Sequence, residues 1–331
     1  MALHPISRSQ VTAIGSYVPE RVLDNHDLEQ MVDTQEEWIV KRTGIHERRM
    51  AKTEQHTSDL CIEAVEDMVK RHPGLELQDI DMILVATSTP DFPFPSVACM
   101  LQDRFSIDRC GALDVSAACA GFVYALNLAD ALVTAGQCRK VLVVGGETLS
   151  KVTDYTDRTT CILFGDGAGA ALVEREERTP GFIHSTSGTD GSAGIHVYRT
   201  GLSDHLNGVK LKDNGKIVQD GRAVFRLAVR TLSEEIPRFL SEAGRSVEEI
   251  DWFVPHSANL RIIDSVCEKI GLPTERIWFS GERYGNTSAA SIPLALCQGI
   301  DTGKIREGDM VLLSGFGSGF THAHTLLRWG F

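Results

Sequence analysis

Short apolar runs and longer stretches of small and apolar residues alternate along the chain, and the same alternation occurs twice. Residues 82–87 (MILVAT) and 252–255 (WFVP) are apolar runs of the length expected for strands buried on both faces. Each precedes a helical pattern, at 96–105 and 259–270. Helices rich in small residues follow, predicted over 119–135 and 289–302, and then Val/Leu strands ending in glycine, at 140–146 and 310–315.

The two series are one series repeated at an offset of 170 residues. LQDIDMILV from Leu77 aligns with VEEIDWFVP from Val247, and VLVVG from Val141 aligns with VLLSG from Val311. Ala125 and Leu126 fall on Ala295 and Leu296 without a gap. So long a period describes two similar halves rather than a solenoid. Strands alternating with helices predict a mostly parallel sheet in each half, covered on both faces. A site is expected where equivalent strand ends meet. The polar stretch EREERTP at 174–180 marks the boundary, giving halves over 1–174 and 175–331.

Composition narrows the class. The chain has 331 residues, 42% hydrophobic and 24% charged, the profile of a globular protein. No apolar run approaches the roughly 18 residues of a membrane span. Residues 1–10 are polar and lack the apolar stretch of a secretory signal, so a cytoplasmic protein with no membrane partner is expected. A formal net charge of −12 argues against nucleic acid as a partner. The eight cysteines form no CxxC pair and are expected to be reduced.

The duplication singles out three reactive residues, because each has an unreactive counterpart in the other half. Cys119 falls opposite Ala289, His256 opposite Ala86, and Asn286 opposite Ser116. Cys119 lies in SAACAGF, at a predicted helix start whose partial positive charge would favour a thiolate and hold an oxyanion. A buried cysteine acting as a small apolar residue is the alternative. His256, in FVPHSANLR, is placed at a strand end where a neutral imidazole can donate to a thioester oxygen, or can serve as a cap or core residue. Asn286, in YGNTSAA, taken alone suits a turn or helix cap better than a catalytic task. The glycine-rich stretches FGDGAGA at 164–170 and SGFGSGF at 314–320 match neither nucleotide fingerprint. They read as close backbone approaches, the second near the site. His322 and His324 alternate along a strand, and without a third ligand no metal site is predicted.

Several segments, in this order, resemble the β-ketoacyl-acyl carrier protein synthase III family of thiolase-fold condensing enzymes. They are EWIVKRTGI at 37–45, ACAG at 118–121, Asp157-Arg158, FGDGAG at 164–169, PHSANLR at 255–261 and GNTSAAS at 285–291. SKVTDYTDRTTC at 150–161 is most similar to the second paralogue of some Gram-positive bacteria. The resemblance implies an α/β, thiolase-like fold of two duplicated halves in a five-layered α-β-α-β-α arrangement. It implies an acyltransferase that initiates type II fatty acid synthesis. An acetyl or short branched acyl-CoA primer condenses with malonyl-acyl carrier protein, giving 3-oxoacyl-acyl carrier protein, CoA and CO2.

By the same resemblance Cys119 is the nucleophile, and His256 and Asn286 are the donors. The backbone N–H groups of Cys119 and Ser318 form the oxyanion hole. Trp38 and Arg158 sandwich the CoA adenine, Arg42 lies on its phosphates and Asn259 lies at the pantetheine arm. Phe94 reaches the acyl pocket of the neighbouring subunit of a homodimer, and Arg226 and Arg261 receive the carrier protein. No cofactor and no metal are implied, CoA thioester being a substrate. Three positions depart from the family pattern: Ser318 where many members have glycine, Ser257 where glutamine is common, and Glu268 where some relatives are basic. Two other readings stay open, a secondary-metabolite synthase with the same triad and a non-catalytic acyl-binding relative.

Overall fold

A computed structural model describes residues 6–331; the first five, part of the polar start noted above, lie outside the described residues. Two sheets dominate. The first contains β1 (Ser9–Tyr17), β2 (Met82–Ala86), β3 (Gly111–Val115), β4 (Lys140–Thr148) and β5 (Asp166–Arg175), in the order β1-β5-β4-β2-β3. The second contains β6 (Phe182–Thr189), β7 (Trp252–Pro255), β8 (Met310–Gly317) and β9 (Thr321–Arg328), in the order β7-β8-β9-β6. The principal helices are α1 (Glu36–Thr43), α2 (Thr57–Arg71), α3 (Val97–Arg104), α4 (Gly121–Thr134), α5 (Gly221–Glu242), α6 (Leu260–Ile270) and α7 (Ser291–Asp301).

The layers follow from strand alternation. In β4, Val141 and Val143 face Val123 and Leu126 of α4 and Ile292 and Ala295 of α7, in a core shared with the second sheet. Leu142 and Val144 face the other way, onto Leu60 and Met68 of α2. In β8, Val311 and Leu313 join the shared core, while Met310 and Leu312 pack with Phe239 of α5 and Ile263 of α6. The order is therefore helices, sheet, helices, sheet, helices: the five-layered thiolase arrangement. Every residue of β4 is buried, which is why the strand reads as a continuous apolar run. Truncating Leu126 of the middle layer to alanine would cost about 2–5 kcal/mol.

The sheets are less parallel than expected. Only β2 with β3, β2 with β4, and β7 with β8 run parallel. The pairs β1–β5, β4–β5, β8–β9 and β6–β9 are antiparallel. A parallel return needs a long crossover. β8 instead turns into β9 through only Ser318–Phe320, and β4 reaches β5 through a segment without an α-helix. The predicted starts of the central helices also shift. Ala118–Ala120 and Ser288–Ala290 form short 3-10 turns, and α4 and α7 begin at Gly121 and Ser291. Among the described residues no helix is long and apolar enough to cross a membrane.

Candidate active site

Cys119 sits in the turn between β3 and α4, and the residue before it is held in the left-handed region, with φ of 46° at Ala118. A non-glycine residue there carries about 1–3 kcal/mol of strain, sustained only by surrounding packing. Gly317 makes the close approach possible: a Cβ at that position would lie 2.7 Å from the Cys119 backbone nitrogen. The glycine-rich stretch at 314–320 thus runs against the nucleophile, and that at 164–170 packs Gly165 against the Tyr284 carbonyl. Burial opposes the thiolate that the helix terminus favours. It dominates and pushes the thiol up to about 12, the Glu147 carboxylate adds to the rise, and hydrogen bonding to the Ser288 side chain opposes it.

His256 follows β7 and is 1% exposed. Its backbone N–H donates to the Ser314 carbonyl at 2.8 Å, and its ring meets Phe316 edge-on at 5.2 Å. Nδ1 lies 2.7 Å from the Ser291 hydroxyl. Burial pulls the imidazole down to about 3, so it is neutral near pH 7. Asn286 is stitched to the other half: its N–H donates to the Leu163 carbonyl at 2.8 Å, and its carbonyl accepts from the Gly165 N–H at 3.0 Å. The Ser288 N–H donates to its Oδ1 at 2.9 Å. A backbone N–H can only donate, so the amide oxygen faces it and the NH2 group is left to donate elsewhere. Cys119, His256 and Asn286 all line one cavity of about 1210 Å³.

A family model described as 3-oxoacyl-[acyl-carrier-protein (ACP)] synthase III matches residues 113–191, and one described as its C-terminal part matches 240–329. The chain is 55% identical over 325 residues to beta-ketoacyl-[acyl-carrier-protein] synthase III 2 of Bacillus subtilis, covering 98% of this chain and 100% of that one. The synthase III of Thermus thermophilus superposes with a TM-score of 0.93 at 48% identity, covering 97% of this chain and 99% of that chain. A priming beta-ketosynthase from the R1128 polyketide pathway superposes at 0.90 with 35% identity, covering 100% and 99%. The chain belongs to the 3-oxoacyl-[acyl-carrier-protein] synthase III family. It is an acyltransferase of the condensing type that initiates fatty acid synthesis.

In this synthase the other expected residues fall in one place, with one exception. Trp38, Arg42, Arg158, Asn259, Arg226, Arg261 and Ser318 line the same cavity as the three reactive residues. Arg158 and Arg42 lie 5.6 and 6.0 Å from the Trp38 ring centre. An adenine between Trp38 and Arg158 needs about 7 Å, two stacking thicknesses, so that pair must open to admit one. The Asn259 Oδ1 accepts from the Arg261 N–H at 3.0 Å, capping α6. The Ser318 hydroxyl donates to the Val197 carbonyl, which accommodates the departure from glycine. Ser257 is buried, with its hydroxyl 3.0 Å from that of Ser280. Phe94 is the exception: it lies outside the cavity and is 85% exposed, so it does not pack in its own half.

Several residues of the site carry no signal in the sequence. Arg199 and Arg222 join Arg42, Arg158, Arg226 and Arg261 around the cavity, against the single acidic side chain of Asp220. Glu147, fully buried, accepts from the Thr89 hydroxyl at 2.6 Å and the Ser88 N–H at 3.1 Å. Burial raises its pKa. Ser288, with φ of 48°, touches the site through its N–H, its carbonyl and its side chain. His322 and His324 pack against each other at 5.5 Å, and among the described residues no group of three or more metal-ligating side chains occurs. All eight cysteines are free.

Proposed function

We propose that Cys119 takes the acyl group and that His256 and Asn286 drive the decarboxylation. The Cys119 sulfur, after losing its proton, attacks the acyl-CoA carbonyl, and CoA leaves as the thiolate that takes up a proton. Malonyl-acyl carrier protein then enters, and its thioester oxygen accepts hydrogen bonds from His256 and from the NH2 of Asn286. Loss of CO2 leaves an enolate held by two neutral donors, which stabilise the charge without protonating the carbon. The enolate carbon attacks the acyl-enzyme, the C–S bond to Cys119 breaks, and 3-oxoacyl-acyl carrier protein leaves. The N–H groups of Cys119 and Ser318 hold the oxyanion in both acyl transfers, and no cofactor takes part.

The observation that carries this reading is a neutral imidazole and an amide with its oxygen already engaged, lining one cavity with a cysteine. Mass spectrometry of the protein incubated with acyl-CoA should find one acyl group, on Cys119, and none in Cys119→Ala. An acylated Cys119→Ala protein would remove the nucleophile from its assigned role. Trp38, Arg158, Arg42 and Asn259 take the coenzyme, and the arginines of the rim, Arg226 and Arg261 among them, suit acidic partners. The exposed ring of Phe94 supports a homodimer in which it enters the partner's acyl pocket, and a cytoplasmic location belongs to the same reading. Phe94→Ala should shift preference towards longer or branched primers in a protein that light scattering shows to be dimeric. An active monomer would exclude this arrangement.

A further inference from the structure

The Ser291 hydroxyl has one proton and two acceptors within reach: the Ser288 carbonyl at 2.8 Å and Nδ1 of His256 at 2.7 Å. When the proton points to the carbonyl, Ser291 can only accept from Nδ1–H, and Nε2 carries a lone pair. When it turns to Nδ1, the ring must carry its hydrogen on Nε2. Ser291 is fully buried, so water does not compete for its contact with Nδ1.

The duplication shows that this contact is a built feature of one half. Ser291 and His256 stand 170 residues after Gly121 and Ala86. In the first half the pair is closed by the smallest side chains: a Cβ on Gly121 would lie 2.9 Å from the Ala86 Cβ. In the second half the same packing position holds a hydroxyl and an imidazole in hydrogen-bond contact.

We propose that Ser291 is a positioning residue that sets the tautomer of His256, turning its hydroxyl to Nδ1 so that Nε2–H is presented to the thioester oxygen. This rests on the donor role given to His256 above. Nitrogen NMR of the histidine-labelled protein reads the tautomer without turnover, and decarboxylation of malonyl-carrier protein reads its use. Ser291→Ala should change the His256 ring nitrogen shifts and slow decarboxylation about tenfold, the effect of one hydrogen bond. Acylation of Cys119 should stay within about twofold. Ser291→Thr, which keeps the hydroxyl, should restore both readouts. Unchanged nitrogen shifts, equal loss in both half-reactions, or a folded Ser291→Thr protein as slow as Ser291→Ala would overturn the proposal. Changed shifts with normal decarboxylation would leave Ser291 in control of the ring and overturn the donor role instead.

Discussion

The two corners at 116–121 and 286–291, the first entered from β3 and the second from the short helix Gly281–Tyr284, have similar backbone turns and opposite chemistry. Both place a non-glycine residue in the left-handed region, Ala118 at φ 46° and Ser288 at φ 48°. Both continue as a three-residue 3-10 turn before a helix of the middle layer. The first corner uses its geometry to present Cys119, the proposed nucleophile, to the cavity. The second puts Ala289 at that place and spends its polar groups on orientation: the Ser288 N–H fixes Asn286, and Ser291 contacts His256. In the proposed reaction the duplicated frame thus puts the attacking sulfur in one half and the two side-chain donors to the enolate in the other.

Removing a donor from the second half should give the largest separation. His256→Ala and Asn286→Ala are each expected to lose about 10²–10³ in decarboxylation rate while Cys119 is still acylated by acyl-CoA. Measuring the two half-reactions separately checks this, and full decarboxylation by either variant would erase the division between the corners.

The cationic rim divides in the same way. Arg42 and Arg158 come from the first half, and Arg199, Arg222, Arg226 and Arg261 from the second. Reversing Arg226 and Arg261 to glutamate should raise KM for malonyl-carrier protein by roughly tenfold at low salt and leave acyl-CoA transfer nearly unchanged. The effect should shrink with added salt, since exposed charges are screened beyond about 10 Å at 0.1 M. Equal losses with both substrates would merge the two sets of arginines into one.

The last contrast concerns acid. The second half buries His256 and His324, each pulled down to about 3 by loss of water. The unfolded chain binds those protons below its own histidine pKa of about 6.5, the folded chain does not, and stability is lost as pH falls from there. Each such histidine contributes up to about 1.4 kcal/mol per pH unit across that window. The first half instead buries Glu147 and Asp166, whose pKa values are raised, so their contribution is present at low pH and is lost as pH rises. Hydrogen exchange at about pH 7 and about pH 5 should therefore show β7–β9 losing protection relative to β2–β5. His324→Leu should narrow the difference, and equal loss in both sheets would contradict the assignment.

The three residues that the structure brings to one cavity stand out in the sequence because the 170-residue offset sets each against an inert counterpart. Ser288 and Ser291 do not. In a run of small residues they look like turn and cap, and only a positive φ and the direction of a hydroxyl distinguish them. Strand direction is illegible for a similar reason. A strand buried on both faces reads as apolar whichever way its neighbour runs, and only the shortness of the Ser318–Phe320 turn requires a hairpin. Helix-end electrostatics at Cys119 is visible in the sequence, whereas the burial that opposes it depends on packing that no local motif records.

Crowding two corners and both sets of arginines around one cavity also constrains kinetics. Arg42 and Arg158, proposed to face the coenzyme, and Arg226 and Arg261, proposed to face the carrier, share that space with Cys119, so two bulky polyanionic thioesters would compete for it. Turnover is then expected to be ping-pong, with the first thiol gone before the second thioester settles. Each thioester becomes a dead-end inhibitor of the other's half-reaction. Excess carrier would stall the free enzyme and excess acyl-CoA would stall the acyl-enzyme, so that flux follows the ratio of the two pools as well as their size.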